Sequence, residues 1–372
     1  TVMSHTDGSL WVGSSKGVNK LIDNEVTTVL PPADIDSLSI LSFAQGHHGE
    51  VFVGAYTQGI FQVIGNKLVA MPLINNALMS KEVRSILLDT AGNMWIGTTI
   101  NLVKISKQGE VTYFDQQSGL PANFIMALAQ DPQGRVWIGT GEGVAVYENG
   151  HLKIYRLDAE YAAEYAFGFF TQPQGMWLAT DRGIMYIDYE SEQLSAVTRA
   201  NGLPIDKFFQ VIIDKTNTFW LTSNRGIIKI SGQEIASAIN DPTYQVTYQR
   251  FTQGAGLLSS QANGGSTPAA TLHQDGTVWV ATARGVSQVS HQRLNRMAEQ
   301  KLPVVIEELI VDGKKYQTNT DNIISLPPSV AHISISYAGL GFLNSNHIQY
   351  QVQLLGYHAK WLNKNSQTYS EY

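Results

Sequence analysis

Trp137-Ile138-Gly139-Thr140, followed by two variable residues, then Gly143 and an apolar residue, is the phrase on which the fold turns, and a turn built on Asp131 and Gly134 precedes it. Aligning the chain with itself places the aromatic slot at Trp11, Phe52, Trp95, Trp137, Trp177, Trp220 and Trp279, in steps of 41, 43, 42, 40, 43 and 59 residues. Six of the seven tryptophans fall in this slot. A period of about 40 residues carrying several short strands is the mark of a propeller blade. The expectation is an all-β chain: a seven-bladed β-propeller over residues 1–300, with four antiparallel strands per blade, then a separate small domain over residues 301–372.

Each repeat reads the same way. Trp11-Val12-Gly13 and Val18-Asn19-Lys20-Leu21 alternate as strands packed between neighbours do. The loop joining second and third strands ends in Gly17, Gly59, Gly143, Gly183, Gly226 or Gly285. That place calls for positive φ, and Asn101, which takes it in the third copy, is the non-glycine residue that best tolerates the conformation. The large apolar slot is read as packing between blades.

Gly119-Leu120-Pro121-Ala122-Asn123 and Gly202-Leu203-Pro204-Ile205-Asp206 are turn chemistry between repeats. Two connections break the pattern. One is the acidic, aromatic run Asp158 to Phe167, with one helical turn. The other is an insertion reading as a short helix over Ser231 to Asn240, a strand over Val246 to Phe251, and a polar loop over Gly256 to Gly265. The seventh repeat shows no clear fourth strand after Val289. Beyond the polar connector His291 to Lys301, alternation resumes without the Trp-Gly phrase.

Composition narrows the function. A net charge of −6 without a Lys/Arg block excludes the footprint of a nucleic-acid binder. With no cysteine, disulfides, thiolate catalysis and Cys-based zinc sites fall away. No apolar run approaches the roughly 20 residues of a membrane span. The chain opens without Met and stops in mid-pattern, as a piece of something longer would.

Chemistry-bearing motifs mostly have structural readings. Gly13-Ser14-Ser15-Lys16-Gly17 matches the nucleophile-elbow pattern but occupies a strand-to-strand hairpin. His47-His48 lacks further ligands at metal-binding spacing. Asp131, Asp214 and Asp275 recur as turn caps. No catalytic residue, metal site or cofactor is therefore expected. One constellation stands out: the residue before the hairpin glycine is Lys16, Gln58, Ile100, Glu142, Arg182, Arg225 and Arg284 in copies one to seven. In a closed ring, copies five, six, seven and one are adjacent, so Arg182, Arg225, Arg284 and Lys16 form a basic arc suited to a carboxylate or phosphate. Pairing with local acids such as Asp181 is the structural alternative. Tyr161, Tyr165 and Asn263, on the two irregular connections, complete the candidate ligand site.

The Trp-Ile-Gly-Thr phrase after an Asp-x-x-Gly turn, the Gly-Leu-Pro-x-Asn connections and the Asn263-Gly264-Gly265 loop together resemble the two-component regulator propeller repeats. The tail, from Pro303-Val304-Val305-Ile306 through Tyr350-Gln351-Val352-Gln353-Leu354-Leu355-Gly356-Tyr357 to Trp361, resembles the Y_Y_Y domain, which implies that residues 301–372 form a small Ig-like β-sandwich. Departures are Phe52 for Trp, and Ala179, Thr222 and Ala281 for the motif glycine. The resemblance implies the periplasmic sensor region of a bacterial inner-membrane receptor, tethered by residues outside this chain. It would bind a small molecule or oligosaccharide, pair as a homodimer through the C-terminal domain, and act on a histidine kinase or GGDEF diguanylate cyclase. The Asn-Gly-Gly loop points to the cyclase. A constitutive protein-interaction scaffold and a propeller enzyme acting on carbohydrate are the alternatives.

Overall fold

A computed structural model describes residues 1–155, 157, 163–289, 303–318, 323–340, 348, 350–365 and 367–372. The chain divides into two compact units, Thr1–His291 and Gln292–Tyr372. The connector His291 to Lys301 lies outside the described residues.

Among the described residues of the first unit there are seven antiparallel sheets, each built from strands consecutive in sequence. Six have four strands and the seventh has three among the described residues, the chain directly after Val289 lying outside them. The first strands are Val2–Ser4, Ile40–Gln45, Val83–Leu88, Ile125–Gln130, Ala166–Thr171, Gln210–Ile213 and Ala270–Leu272. Each packs on the first strand of the next sheet, and Ala270–Leu272 packs on Val2–Ser4, so the seven form a closed ring. Hydrogen bonds fasten the closure: Val2 N–H donates to the Pro268 carbonyl at 3.1 Å and Ser4 N–H to Thr271 Oγ1 at 3.2 Å.

The aromatic slot packs sheet against sheet. Trp95, Trp137 and Trp220 are fully buried. Trp95 meets Tyr147 of the following sheet edge-on at 4.9 Å, and Trp177 meets Phe219 in the same way at 4.9 Å. Burial of each such ring contributes about 2–3 kcal/mol. In three repeats the turn acid, Asp89, Asp131 or Asp214, anchors the indole as well as capping its turn. Asp131 accepts backbone N–H groups of Gln133 and Arg135 on one oxygen and the Trp137 indole on the other.

A hydroxyl recurs beside six of the seven hairpins, the second repeat having Ala55 in its place. Thr140 Oγ1 donates to the Gly143 carbonyl at 2.9 Å and accepts the Glu142 N–H at 3.2 Å. Gly143 takes φ +125°, in keeping with the glycine rule, but Asn101 does not adopt positive φ. Its hairpin keeps the backbone bond from Thr98 N–H to the Asn101 carbonyl at 3.0 Å and adds a side-chain one, Thr98 Oγ1 being bonded to both the Asn101 carbonyl and Asn101 Oδ1 at 2.9 Å. The insertion contains the helix Gly232–Asn240, capped by Ser231, and the strand Gln249–Phe251. The six-residue helix Pro72–Ala77 carries no apolar periodicity in the sequence and was not expected.

In the second unit, Lys314–Tyr316, Val304–Val311, Ile333–Gly339 and Tyr369–Glu371 form a four-stranded antiparallel sheet in that order. Tyr350–Val352 pairs with Leu362–Asn365. Tyr350 joins the two sheets, its hydroxyl accepting the Gly339 N–H at 2.9 Å and its ring lying 5.2 Å from that of Tyr337.

Candidate functional site

The connection out of one sheet, the start of the next first strand and the hairpin between second and third strands share one face of the ring. On that face the hairpin hydroxyls fix the backbone of the basic arc. The N–H groups of Lys16, Arg182, Arg225 and Arg284 donate to Ser14, Thr180, Ser223 and Thr282 at 3.1, 3.1, 3.1 and 3.3 Å. All four side chains are exposed. Arg182 Nε lies 3.9 Å from Asp181 Oδ2, so the local-acid pairing weighed from the sequence is present in loose form. Arg225 carries a further cation, because Arg250 donates to its carbonyl through Nε and Nη2 at 2.9 and 2.7 Å.

The structure joins only part of the expected set. Asp181 accepts the Tyr165 N–H at 3.0 Å and the Glu164 N–H at 2.9 Å, which places Tyr165 beside the Arg182 hairpin. Arg225, Arg284 and Lys16 stay on their own hairpins and make no side-chain hydrogen bond or ion pair among the described residues. Tyr161 lies outside the described residues. Asn263 serves its own loop: its N–H reaches the Ala281 carbonyl at 2.9 Å and its Oδ1 takes the Gly265 N–H at 3.0 Å.

Side chains that sequence reasoning passed over complete the site. The first strands of the second to fifth sheets each carry a one-residue bulge, at Leu41, Arg84, Met126 and Phe167. Phe209 holds the corresponding place, next to Gln210, which faces the motif position Thr222. A bulge takes its extra residue out of the alternation of the ladder. Phe167 stacks with Tyr165 at 5.7 Å and receives Phe209 edge-on at 5.4 Å. Lys207 Nζ lies 5.7 Å from the Tyr165 ring centre and 5.4 Å from that of Phe167. The signal available in the sequence was the recurrence of these positions at the start of each first strand, which only the bulged register makes visible.

The loop from Asn263 to Pro268 crosses this face. Gly264 lies against Phe209, where an added Cβ would stand 2.3 Å from the ring. Arg84, itself over the Phe124 ring at 5.2 Å, donates to the Gly265 carbonyl at 2.9 Å. Thr267 exchanges backbone bonds with the second sheet, its N–H to Leu41 and its carbonyl from Phe43, each at 3.0 Å. Its hydroxyl reaches the Met126 carbonyl in the fourth sheet at 3.0 Å. One loop thus ties sheets two, three, four and six to the seventh.

The motifs given structural readings in the sequence have structural partners. Ser14 Oγ accepts the Lys16 N–H of its hairpin, and His47 Nε2 lies 2.7 Å from the Asp89 carbonyl. No group of three or more His, Asp or Glu among the described residues is arranged to hold a metal ion.

Comparison with known proteins places this geometry. A family model described as "two component regulator propeller" matches residues 77–99 and 119–142. Both stretches run from the connection through the first strand to the Trp phrase of the third and fourth sheets. The chain carries two-component regulator propeller repeats. A relative, histidine kinase P4 of Formosa agariphila, is 24% identical over 312 residues, covering 75% of this chain and 21% of the kinase. The extracellular domain of a hybrid two-component system of B. thetaiotaomicron has a similar fold, with TM-score 0.72 and 21% identity, over 100% of this chain and 50% of that one. Streptogramin B lyase is similar at TM-score 0.57 and 14% identity, over 77% of this chain and 91% of that one. The chain spans about a fifth of the kinase and half of the extracellular domain. No helix among the described residues is long and apolar enough to cross a membrane.

Proposed function

We propose that this chain is the ligand-sensing, periplasmic region of a bacterial transmembrane receptor, its seven sheets the blades of a propeller and its second unit a Y_Y_Y-type β-sandwich. The observation that carries this reading is the regulator-propeller match at two successive repeats, inside a chain with the same phrase seven times. The likeness to a histidine kinase over three quarters of the chain supports it. This region itself is non-catalytic in the proposal, and the output, a histidine kinase or a diguanylate cyclase, lies elsewhere in the protein. Ligand meets the hairpin face, where Arg182 and Tyr165 come together and the loop from Asn263 to Pro268 ties distant sheets. The second unit pairs with its counterpart in a homodimer. Exposed Val304, Ile306, Leu355, Tyr357 and Trp361 are surfaces such pairing would cover.

The gene beyond Tyr372 tests the reading. It should complete the β-sandwich and then encode an apolar stretch of about 20 residues and an output domain. A stop codon soon after, in a gene with no membrane span anywhere, overturns it.

A further inference from the structure

We infer that the hairpin face between the fourth and sixth sheets holds a binding site for a ring-bearing carboxylate, on a shelf made by Tyr165 and Phe167 and charged by Lys207. The inference deepens the sensor reading and rests on it. The two rings stack nearly parallel, at 14°, with centres 5.7 Å apart, so each fixes the plane of the other. Tyr165 is 37% exposed, yet it is positioned: Asp181 holds its N–H, and Gly141 packs beneath with its Cβ position 3.7 Å from the ring. Phe167 stands out of the ladder because it is the extra residue of the bulge. It is buttressed by Phe209, which Gly264 backs in turn. A fixed, partly exposed aromatic pair is a platform before any ligand arrives, so little ordering cost opposes binding.

Lys207 sets the ligand's charge. Its ammonium lies over both rings, and among the described residues it has no carboxylate partner; the nearby Asp206 pairs with Arg199 at 3.5 Å. A flat C–H or π face lies on such rings, and a single compact ammonium pairs with a single carboxylate. A phosphate would call for convergent arginine forks. Arg225 and Arg284 stand on other hairpins, out of contact with this group. A sugar acid and an aromatic acid share the required chemistry, a ring with one flat face and a carboxylate.

Titration calorimetry on the 372-residue chain decides between them. The probes are a glucuronate-containing disaccharide and 4-hydroxybenzoate, each beside its neutral methyl ester. At least one acid should bind, with its ester at least tenfold weaker, and the acid that binds names the source. Lys207→Gln should bring acid and ester to equal affinity, and Tyr165→Ala should weaken both. Lys207 and Tyr165 are exposed, so neither change threatens the fold, and an unchanged melting temperature confirms this. Phe167→Leu should also weaken both. Absence of binding by either acid, or an acid preference that survives Lys207→Gln, overturns the site. Signalling by the full-length receptor that is indifferent to Tyr165→Ala and Lys207→Gln removes the site and leaves the sensor reading standing. A gene without a membrane span removes the sensor reading and leaves the calorimetry untouched.

Discussion

The Trp137 indole nitrogen donates to Asp131 Oδ2 at 2.7 Å, and the pair repeats as Trp95 on Asp89 and Trp220 on Asp214, each at 2.8 Å. In each case the acid stands six residues before the tryptophan. A buried indole N–H needs an acceptor, and the acid that caps the turn supplies it from within the same repeat. Asp131 also pairs with the buried Arg135 at 2.6 Å. Asp131→Ala should therefore cost about 3–5 kcal/mol, because it strands a buried guanidinium along with the indole. Urea unfolding checks this.

Acid should unfold the ring through Asp89 and Asp214. Burial alone would push the Asp89 carboxyl up, but hydrogen bonds from Trp95 and Asn93 outweigh it and hold the group below its usual value. Asp214 is held down likewise, by Thr216, Trp220 and the Thr218 N–H against the cost of burial. With folded values depressed, the stabilisation is complete above the unfolded carboxylate value of about 4 and is lost as pH falls below it toward the folded values. Stability measured from pH 6 to pH 3 should fall over that lower range. In Asp89→Asn with Asp214→Asn the slope should be shallower and the stability at pH 6 lower.

Hairpin glycines should differ in cost although all six have positive φ. Gly17, at φ +112°, opens onto space, whereas a Cβ on Gly183, at φ +107°, would stand 2.3 Å from the Val197 carbonyl oxygen. Gly17→Ala should cost about 1–2 kcal/mol of backbone strain, and Gly183→Ala more than about 3 kcal/mol. Paired thermal melts compare them.

Thr267 should control the loop that crosses the face. Thr267→Ala removes the hydroxyl bond to Met126 while keeping the backbone exchange with Leu41 and Phe43, so the expected loss is about 1 kcal/mol. Hydrogen exchange at the Phe43 and Thr267 amides should quicken, with the amides of Trp137 and Trp220 unchanged.

The repeat made most of the first unit legible, because a slot that must hold a buried ring recurs wherever a sheet meets its neighbour. Its chemistry was less legible. The hydroxyl of Thr140 looked like part of a phrase and proved to hold the backbone at Glu142. Asn101 was expected to imitate glycine, but bonds from the Thr98 backbone and hydroxyl close its hairpin without positive φ. Arg182 and Tyr165 were expected in one site and lie side by side through Asp181. Phe167, Phe209 and Lys207 were missed, since a one-residue bulge shifts which side chains leave the ladder and no pairwise pattern in the sequence records such a shift.

The loop from Asn263 to Pro268 also has a meaning in time. Its bonds to Met126 and Arg84 span 141 and 181 residues of sequence, and the Thr1 hydroxyl reaches the Pro268 carbonyl across 267. Each sheet can form from neighbouring segments, but contacts of this span reward the chain only after the intervening sheets are in place. The crossing loop is thus a latch set at the end of folding: intermediates should hold formed sheets around an open, unlatched ring, and the face that the loop crosses should come into being only with the last step.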